Sequence, residues 1–379
     1  MKAEQSPEFP APTVIVLGSG SVDIWGMSSG ERLRRSFARV GMRDVRFGAG
    51  DLPPAGIPAI LIRADHVFDQ RLIEALVKSP GTALVPDGGQ PVLAVHTLDA
   101  AASLEADEQG LSPAGLETRT PAGLAGSYNN KLRKREEPFL LPLTRQNLPA
   151  IRDRTFQASY KGVTDFITKH VWPPPAKVVT GWCASAGITP NQVTLASLGF
   201  VLLAFWLFWH GHFGWGLVCA WIMTFLDTVD GKLARVTMTY SKGGDVLDHG
   251  IDLVHPPFWW WAWMVGCGAA GFALPYYGLV LFVIVGGYIA QRIEEGVFIK
   301  LFRIEMHIWR PFDSWFRGIT ARRNPNLLIL TVLTLFGRPD LGILLVAVWT
   351  GLCFLVHLWQ IVAAGLASRQ GPIRSWLAG

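Results

Sequence analysis

QVTLASLGFVLLAFWLFW, residues 192–209, carries no charged side chain over 18 positions, about the minimum for an α-helix to cross a hydrocarbon core of ~30 Å. The sequence therefore predicts a transmembrane helix here. Further apolar stretches at about 213–233, 253–273, 274–291, 325–337 and 341–366 bring the expected number to six. The fifth is the shortest, because Arg338 and Asp340 soon follow LLILTVLTLF. Basic residues in the connections set the orientation. Arg235 and Lys242 follow the second stretch, and Arg292, Lys300, Arg303, Arg310, Arg317, Arg322 and Arg323 follow the fourth. The connections 210–212 and 266–273 hold no Lys or Arg, and 337–340 holds only Arg338. Basic and bare connections alternate, which puts both termini and the basic loops on the cytoplasmic side.

The rest of the chain is of another kind. Of 379 residues, 50% are hydrophobic and 17% charged, a composition that disfavours disordered, collagen-like and disulfide-stapled proteins. Residues 1–150 hold 16 Lys/Arg, 17 Asp/Glu and one Trp, whereas 151–379 hold 18 Lys/Arg, 12 Asp/Glu and the other 15 Trp. A soluble half precedes a membrane half. Cys183, Cys219, Cys267 and Cys353 stand singly among apolar residues and read as small core residues. The start MKAEQSPEFPAPTVIVLG lacks the pattern of a secretory signal, so the first half is expected in the cytoplasm.

In that half, TVIVLG (13–18), IPAILIRADHVFD (57–69) and TALVPDGG (82–89) read as buried strands. GERLRRSFARVGM (30–42) and QRLIEALVKS (70–79) read as amphipathic helices. Their alternation predicts an α/β domain with a mostly parallel sheet. This segment resembles sugar-nucleotide transferase domains that make CDP- or NDP-activated compounds, in which a glycine-rich loop holds the triphosphate and an Asp, here Asp65, holds the metal. The Pro-Lys pair of those enzymes is missing from GSGSVDIWGMSSGERLRR (18–35), so the main counter-ion for the phosphates is gone. A degenerate regulatory or docking domain is the expectation. Between the halves, NNKLRKREEP (129–138) and the basic, aromatic stretch 145–172 suit a helix lying in the anionic headgroup layer. The run Trp172-Pro173-Pro174-Pro175 ends whatever helix precedes it.

Five of the twelve acids of the second half fall between 227 and 252: Asp227, Asp230, Asp245, Asp248 and Asp252. Ionised groups at membrane depth are expensive and usually functional. Asp227 and Asp230 are spaced i, i+3 and Asp248 and Asp252 i, i+4, so each pair shares a helix face at the cytoplasmic end of its helix. Two helices joined by a short loop can pool these four carboxylates, and pooled anions require a cation among them. Oxygen-only ligation points to Mg²⁺ or Mn²⁺, one or two ions with open positions for phosphate oxygens. Asp245 reads as a surface charge, and His255 as a packing residue. Gly231, Ala234 and Gly244 leave the nearby backbone uncovered, which permits close approach by a flat ring or a diphosphate.

DTVDGKLARVTMTYSKGGDVLDHGID (227–252) holds Asp227, Asp230, Gly231, Ala234, Arg235, Gly244, Asp248 and Asp252, eight fixed types in the order DxxDGxxAR…GxxxDxxxD. In this the chain resembles the CDP-alcohol phosphotransferase family, and the likeness covers about residues 160–366, including GITPNQVT (187–194). Together with the nucleotidyltransferase-like first half, it looks like a bifunctional inositol-phosphate cytidylyltransferase and phosphodiester synthase. The resemblance implies a membrane enzyme of phospholipid or related phosphodiester synthesis. A phosphate-substituted group would pass from a CDP-linked donor, CDP-diacylglycerol or a CDP-polyol, to an alcohol hydroxyl, with release of CMP. It also implies that two metal ions are held by Asp227, Asp230, Asp248 and Asp252. Asp252 is the implied general base, while Gly231, Ala234, Arg235 and Gly244 receive the nucleotide.

WRPFDSWFRGITARRNPN (309–326) brings Arg317, Arg322 and Arg323 to the side where an acceptor phosphate would sit, since guanidinium groups hold phosphate bidentately. The expected organisation is a cytosolic α/β domain (1–125), a basic linker with a juxtamembrane amphipathic helix (126–186), and an all-α domain of six transmembrane helices (187–379). The expected setting is a bacterial-type cytoplasmic membrane, with a homodimer, membrane lipid as partner and no nucleic acid. Two other classes also use carboxylates on membrane helices. A membrane prenyltransferase would not require the Gly-x-x-Ala-Arg step, and a divalent-cation carrier would show acids near the midplane in repeated halves, which are not visible.

Overall fold

A computed structural model describes residues 11–104, 110–113, 115–240 and 242–378, without the side chains of Lys242 and Asp245. The chain divides into two compact units. One comprises Met1–Asn129, Arg135–Ser159 and Val236–Thr239, the other Asn130–Lys134, Tyr160–Arg235 and Tyr240–Gly379.

The first unit is α/β. Its elements are β1 (Thr13–Leu17), α1 (Ser29–Ala38), β2 (Val45–Phe47), β3 (Ala59–Arg63), β4 (His66–Phe68), α2 (Gln70–Val77), β5 (Thr82–Leu84), β6 (Ala94–Thr97), β7 (Glu117–Arg119), α3 (Pro121–Ala125), β8 (Leu140–Pro142) and α4 (Leu148–Ala158). Six strands form one sheet in the order β2-β1-β3-β6-β5-β7, and β8 pairs antiparallel with β4. Val14, Val16, Ile60 and Ile62 pack with Leu33, Phe37, Leu72 and Leu76 of the helices, while Ile15, Leu17, Leu61 and Ala83 bury the other face. Because both faces are covered, the strands read as continuous apolar runs. Ser28 caps α1 through the Glu31 N–H (3.3 Å), and Asp69 caps α2 through the Arg71 N–H (3.0 Å).

The sheet is mixed, not mostly parallel. β1 runs parallel to β2 and β3, and β5 to β7, but β6 is antiparallel to both β3 and β5. No helix separates β5 from β6, so the chain reverses and pairs with itself rather than crossing over. α4 lies in this unit too: Ile151, Thr155 and Phe156 are buried, and Trp25 Nε1 donates to Thr155 Oγ1 at 2.9 Å. Of the stretches expected in the headgroup layer, Asn130–Lys134 and the part from Tyr160 onward belong to the helical unit.

The second unit is helical: α5 (Pro173–Ser185), α6 (Pro190–Trp209), α7 (Phe213–Val236), α8 (Lys242–Ala269), α9 (Tyr277–Phe302), α10 (Pro311–Arg317), α11 (Arg323–Leu335) and α12 (Pro339–Ala367). The prolines after Trp172 end a π turn, Ile167–Val171, and open α5, since a proline in the first turn withholds an N–H that has no helical partner. α6 starts on a capping box in which Thr189 Oγ1 accepts from Gln192 N (3.3 Å) and Gln192 Oε1 accepts from Thr189 N (2.8 Å).

Among the described residues three helices, α6, α9 and α12, are long and apolar enough to cross a membrane, and the protein is an integral membrane protein. All six expected apolar stretches fall on helices, α6 to α9, α11 and α12. α7 and α8 carry the carboxylate pairs, and α11, with 13 residues, spans about 20 Å at a rise of ~1.5 Å per residue. α9 is longer than expected: Arg292 and Lys300, read above as loop residues, lie within it, as Arg235 lies within α7. Charged side chains ended the apolar pattern but not the backbone ladder.

The bundle core is aromatic. Trp259 and Trp263 of α8 are fully buried, and their indole N–H groups donate to the carbonyls of Val201 and Pro339, each at 3.0 Å. α8 comes very close to the end of α6. A Cβ on Gly266 would lie 1.8 Å from the Phe208 carbonyl oxygen, so only glycine permits this approach. All four cysteines are free and buried.

Candidate active site

Asp227 and Asp230 lie about two turns before the end of α7, and Asp248 and Asp252 in the first three turns of α8. Their helical spacing aims each pair to one side, and the structure brings the pairs together. Donor oxygens of Asp227, Asp230 and Asp248 lie within 4.8 Å of one another. Arg323, at the start of α11, joins the remaining acid to this group: Nη2 donates to Asp227 Oδ2 at 2.5 Å, and Nη1 pairs with Asp252 Oδ1.

Asp230 is buried. Its Oδ2 accepts from Thr194 Oγ1 at 2.6 Å, whereas Oδ1 has no hydrogen-bond partner. Leaving a buried carboxylate oxygen unsatisfied is costly, and an ion would remove that cost. The donor set is all oxygen, which fits a hard divalent cation.

Asp227, Asp248 and Asp252 line a cavity of about 480 Å³. Gly231 and Arg235 of α7 also line it, and an added Cβ at Gly231 would meet only Arg235 Nη1, at 3.7 Å. Ala234 is half-buried on α7, and Gly244 is half-buried near the start of α8. Arg292, Arg317, Arg322 and Arg323 line it as well. The three expected arginines therefore share one cavity but differ in their bonds. Arg323 spans two of the acids, Arg322 pairs with Glu295, and Arg317 Nη1 is buried without a hydrogen-bond partner. Burial and the nearby Arg322 push the Arg317 guanidinium down to about 9, so a cation here is short of compensating charge.

Several residues of the site were not singled out from the sequence. Thr194 lies within the quoted GITPNQVT, but its partner is on another helix. Lys232 Nζ sits 3.5 Å from the centroid of the Tyr160 ring. Asp165 Oδ1 accepts from Asn324 Nδ2 (2.9 Å) and from the Thr168 N–H (3.0 Å). Burial alone would raise its carboxyl, but these bonds and the Arg317 charge hold it below its ordinary value. His255 packs edge-on against Trp259, and its Nδ1 lies 2.6 Å from the Ile251 carbonyl oxygen. The side chain of Asp245 lies outside the described residues.

In the α/β unit, Asp65 follows β3 as expected, but its carboxylate is engaged by Arg63 (2.6 and 3.1 Å) and by His66 Nδ1 (2.8 Å). Burial would raise this carboxyl, yet the hydrogen bonds from His66 and Arg63 hold it well below the usual range. In the glycine loop, the Gly20 N–H donates to Ser29 Oγ at 2.8 Å. A Cβ on Gly20 would lie 2.5 Å from Leu143 Cδ2, so this loop is packed on its own unit.

Comparison with known proteins bears on the helical unit. The sequence profile of the CDP-alcohol phosphatidyltransferase family matches residues 187–309. An archaetidylinositol phosphate synthase of Pyrococcus horikoshii is 29% identical over 178 residues, 47% of this chain and 85% of that protein. A phosphatidylinositol phosphate synthase of Mycobacteroides abscessus is 35% identical over 83 residues, 20% of this chain and 38% of its own length. One of Streptomyces avermitilis is 33% identical over 93 residues, 24% of this chain and 34% of its own. The matched span contains all four pooled carboxylates and the helices that carry them. The chain is thus a phosphotransferase whose residues 187–309 form a CDP-alcohol phosphatidyltransferase domain.

Proposed function

We propose that this membrane enzyme transfers a phosphate-substituted lipid group from CDP-diacylglycerol or a like CDP-linked lipid to a hydroxyl of a phosphorylated polyol, inositol phosphate in the first place. The observation that carries this reading is the cavity itself, lined by Asp227, Asp248 and Asp252 together with Arg292, Arg317, Arg322 and Arg323. A CDP-linked lipid brings a diphosphate that suits the acids once cations are bound. A second, separate phosphate suits the arginines. The names of the relatives, archaetidylinositol phosphate synthase and phosphatidylinositol phosphate synthase, agree with such an acceptor.

Asp227, Asp230, Asp248 and Asp252 would hold one or two Mg²⁺ or Mn²⁺ ions. Such ions bind diphosphate oxygens and stabilise the charge on departing CMP. Thr194 orients Asp230, and its hydroxyl leaves one carboxylate oxygen for an ion. Asp252 is the general base. Its side chain is the most exposed of the four, at 42%, and so is open to an incoming hydroxyl. The acceptor oxygen forms a bond to the phosphorus that bears the lipid, the bond from that phosphorus to the CMP oxygen breaks, CMP leaves with the electron pair, and the hydroxyl proton passes to Asp252. Gly231, Ala234, Arg235 and Gly244 receive the cytidine and diphosphate, and Arg317, Arg322 and Arg323 receive the acceptor phosphate.

The reaction side is cytoplasmic, in an inner membrane of bacterial type, as the distribution of basic connections supports. Residues 1–125 act as a regulatory or docking domain. The neutralised Asp65 and the packed glycine loop support this over nucleotidyl transfer.

The test is release of labelled CMP from CDP-diacylglycerol by the purified protein, with inositol phosphate, glycerol phosphate and the corresponding neutral alcohols offered in turn. Turnover with a phosphorylated polyol is expected, and Asp252→Asn should lower it by roughly 10²–10⁴-fold. Full turnover in that variant, or turnover only with neutral alcohols, refutes the reading.

A further inference from the structure

Next to the arginines of this cavity, α9, α12 and the short turn Met306–Ile308 meet in a second polar cluster that the proposed transfer leaves unused. Glu295, His307 and His357 each present a donor atom there, and these atoms lie within 4.8 Å of one another. His307 Nε2 is 3.2 Å from Glu295 Oε1, close to the ~3.3 Å edge of a tetrahedron around an ion with bonds of ~2.0 Å.

The cluster is poorly satisfied by the protein alone. His357 is fully buried and neither of its ring nitrogens has a hydrogen-bond partner. His307 Nδ1 and both carboxylate oxygens of buried Glu294 are in the same condition. Leaving such atoms unpaired is costly, and buried polar groups of this kind are normally paired or bound to metal.

We infer that Glu295, His307 and His357 form a binding site for a divalent transition-metal ion of the Zn²⁺ class. Two imidazoles and one carboxylate select borderline ions such as Zn²⁺, whereas the all-oxygen cluster of Asp227, Asp230 and Asp248 selects Mg²⁺ or Mn²⁺. The two sites thus differ in kind. Glu294 Oε2 lies 3.6 Å from His357 Nδ1, beyond hydrogen-bond distance, and adds a carboxylate beside the cluster. Three protein ligands leave a fourth position for water.

The ion has a structural consequence for the neighbouring cavity. Its ligands come from α9, α12 and the segment between α9 and α10, so it fastens that segment to two apolar helices. Glu295 Oε1 also pairs with Arg322, and Glu295 Oε2 lies 3.6 Å from Arg292. Ligation draws on the carboxylate that holds Arg322, and so loosens a cavity-lining guanidinium for a phosphate.

The test uses the full chain, purified in detergent, stripped with a chelator and kept in excess Mg²⁺ so that oxygen-ligand sites are filled. Co²⁺ is then titrated. The expected result is uptake of one Co²⁺ per chain, with the intense visible absorption of a four-coordinate ion, abolished on adding Zn²⁺. His307→Ala and His357→Ala should each weaken uptake by at least about tenfold, while Asp230→Asn leaves the spectrum unchanged. Absence of that absorption in the unmutated chain overturns the inference without recourse to any variant, and so does its survival in both histidine variants. Because metal uptake and not CMP release is read, this outcome is separate from that of the transfer reaction.

Discussion

Replacing Thr194 by Val removes one oxygen and keeps the shape of the side chain. In the structure that oxygen donates to Asp230 Oδ2 at 2.6 Å, in a place where both residues are buried and Asp230 Oδ1 is already without a partner. A hydrogen bond to a charged group is worth about 1.5–3 kcal/mol, and ~1.4 kcal/mol corresponds to a factor of ten. The variant should therefore need roughly 10 to 100 times more Mg²⁺ or Mn²⁺ for half-maximal CMP release, the range found when partners of metal ligands are removed. Thr194→Ser restores the hydroxyl and should recover most of the loss. CMP release measured against metal concentration, with donor and acceptor saturating, reads the shift directly. A Val variant with an unchanged metal dependence, or a Ser variant as impaired as Val, refutes the assignment of Thr194 as the group that orients Asp230.

Arg317→Gln should raise KM for a phosphorylated acceptor by about 10-fold or more, with little change in KM for the CDP-linked donor, since a charge-assisted bond of ~1.5–3 kcal/mol is lost only to the acceptor; initial rates with each substrate varied separately test this. In the α/β unit, buried His96 has Nδ1 2.9 Å from the Leu76 carbonyl oxygen, and burial lowers its protonation below the ordinary histidine range. The unfolded chain then binds the proton more readily, so stability is held above about pH 6.5 and falls as pH drops below it. The protection of the β6 amides, exchange referred to the intrinsic rate at each pH, should fall on acidification, and His96→Gln should flatten that response.

The acids of the centre were legible because their spacing is local. Asp227 with Asp230, and Asp248 with Asp252, must share a face on any helix, whatever surrounds it. What joins them was not legible. Thr194 reaches Asp230 from a helix 36 positions earlier, and Arg323 reaches Asp227 from 96 positions later. Arg323 did stand out in the sequence as a phosphate ligand, since guanidinium groups suit phosphate. In the structure it also offsets two carboxylates, a role that only the fold reveals. Glu295 was hidden for another reason. Charges beyond residue 291 interrupt the apolar pattern, and a pattern of hydropathy cannot tell a helix leaving the membrane from a loop. In the α/β unit, β6 escaped notice because VLAVHT is short, and its direction depends on the reversal that precedes it.

The absent side chain at Gly266 has an effect well away from its own position. The same helix carries Asp248 and Asp252 about four to five turns earlier, some 20–27 Å along its axis. With the Phe208 carbonyl as fulcrum, even one methyl at 266 would pry α8 from α6 and swing the far end, where two of the four acids must meet their partners on α7. Alignment of the proposed catalytic groups is thus set partly at the opposite end of the helix that bears them, and a variant remote from any reacting atom would detune the proposed chemistry while leaving every proposed ligand in place.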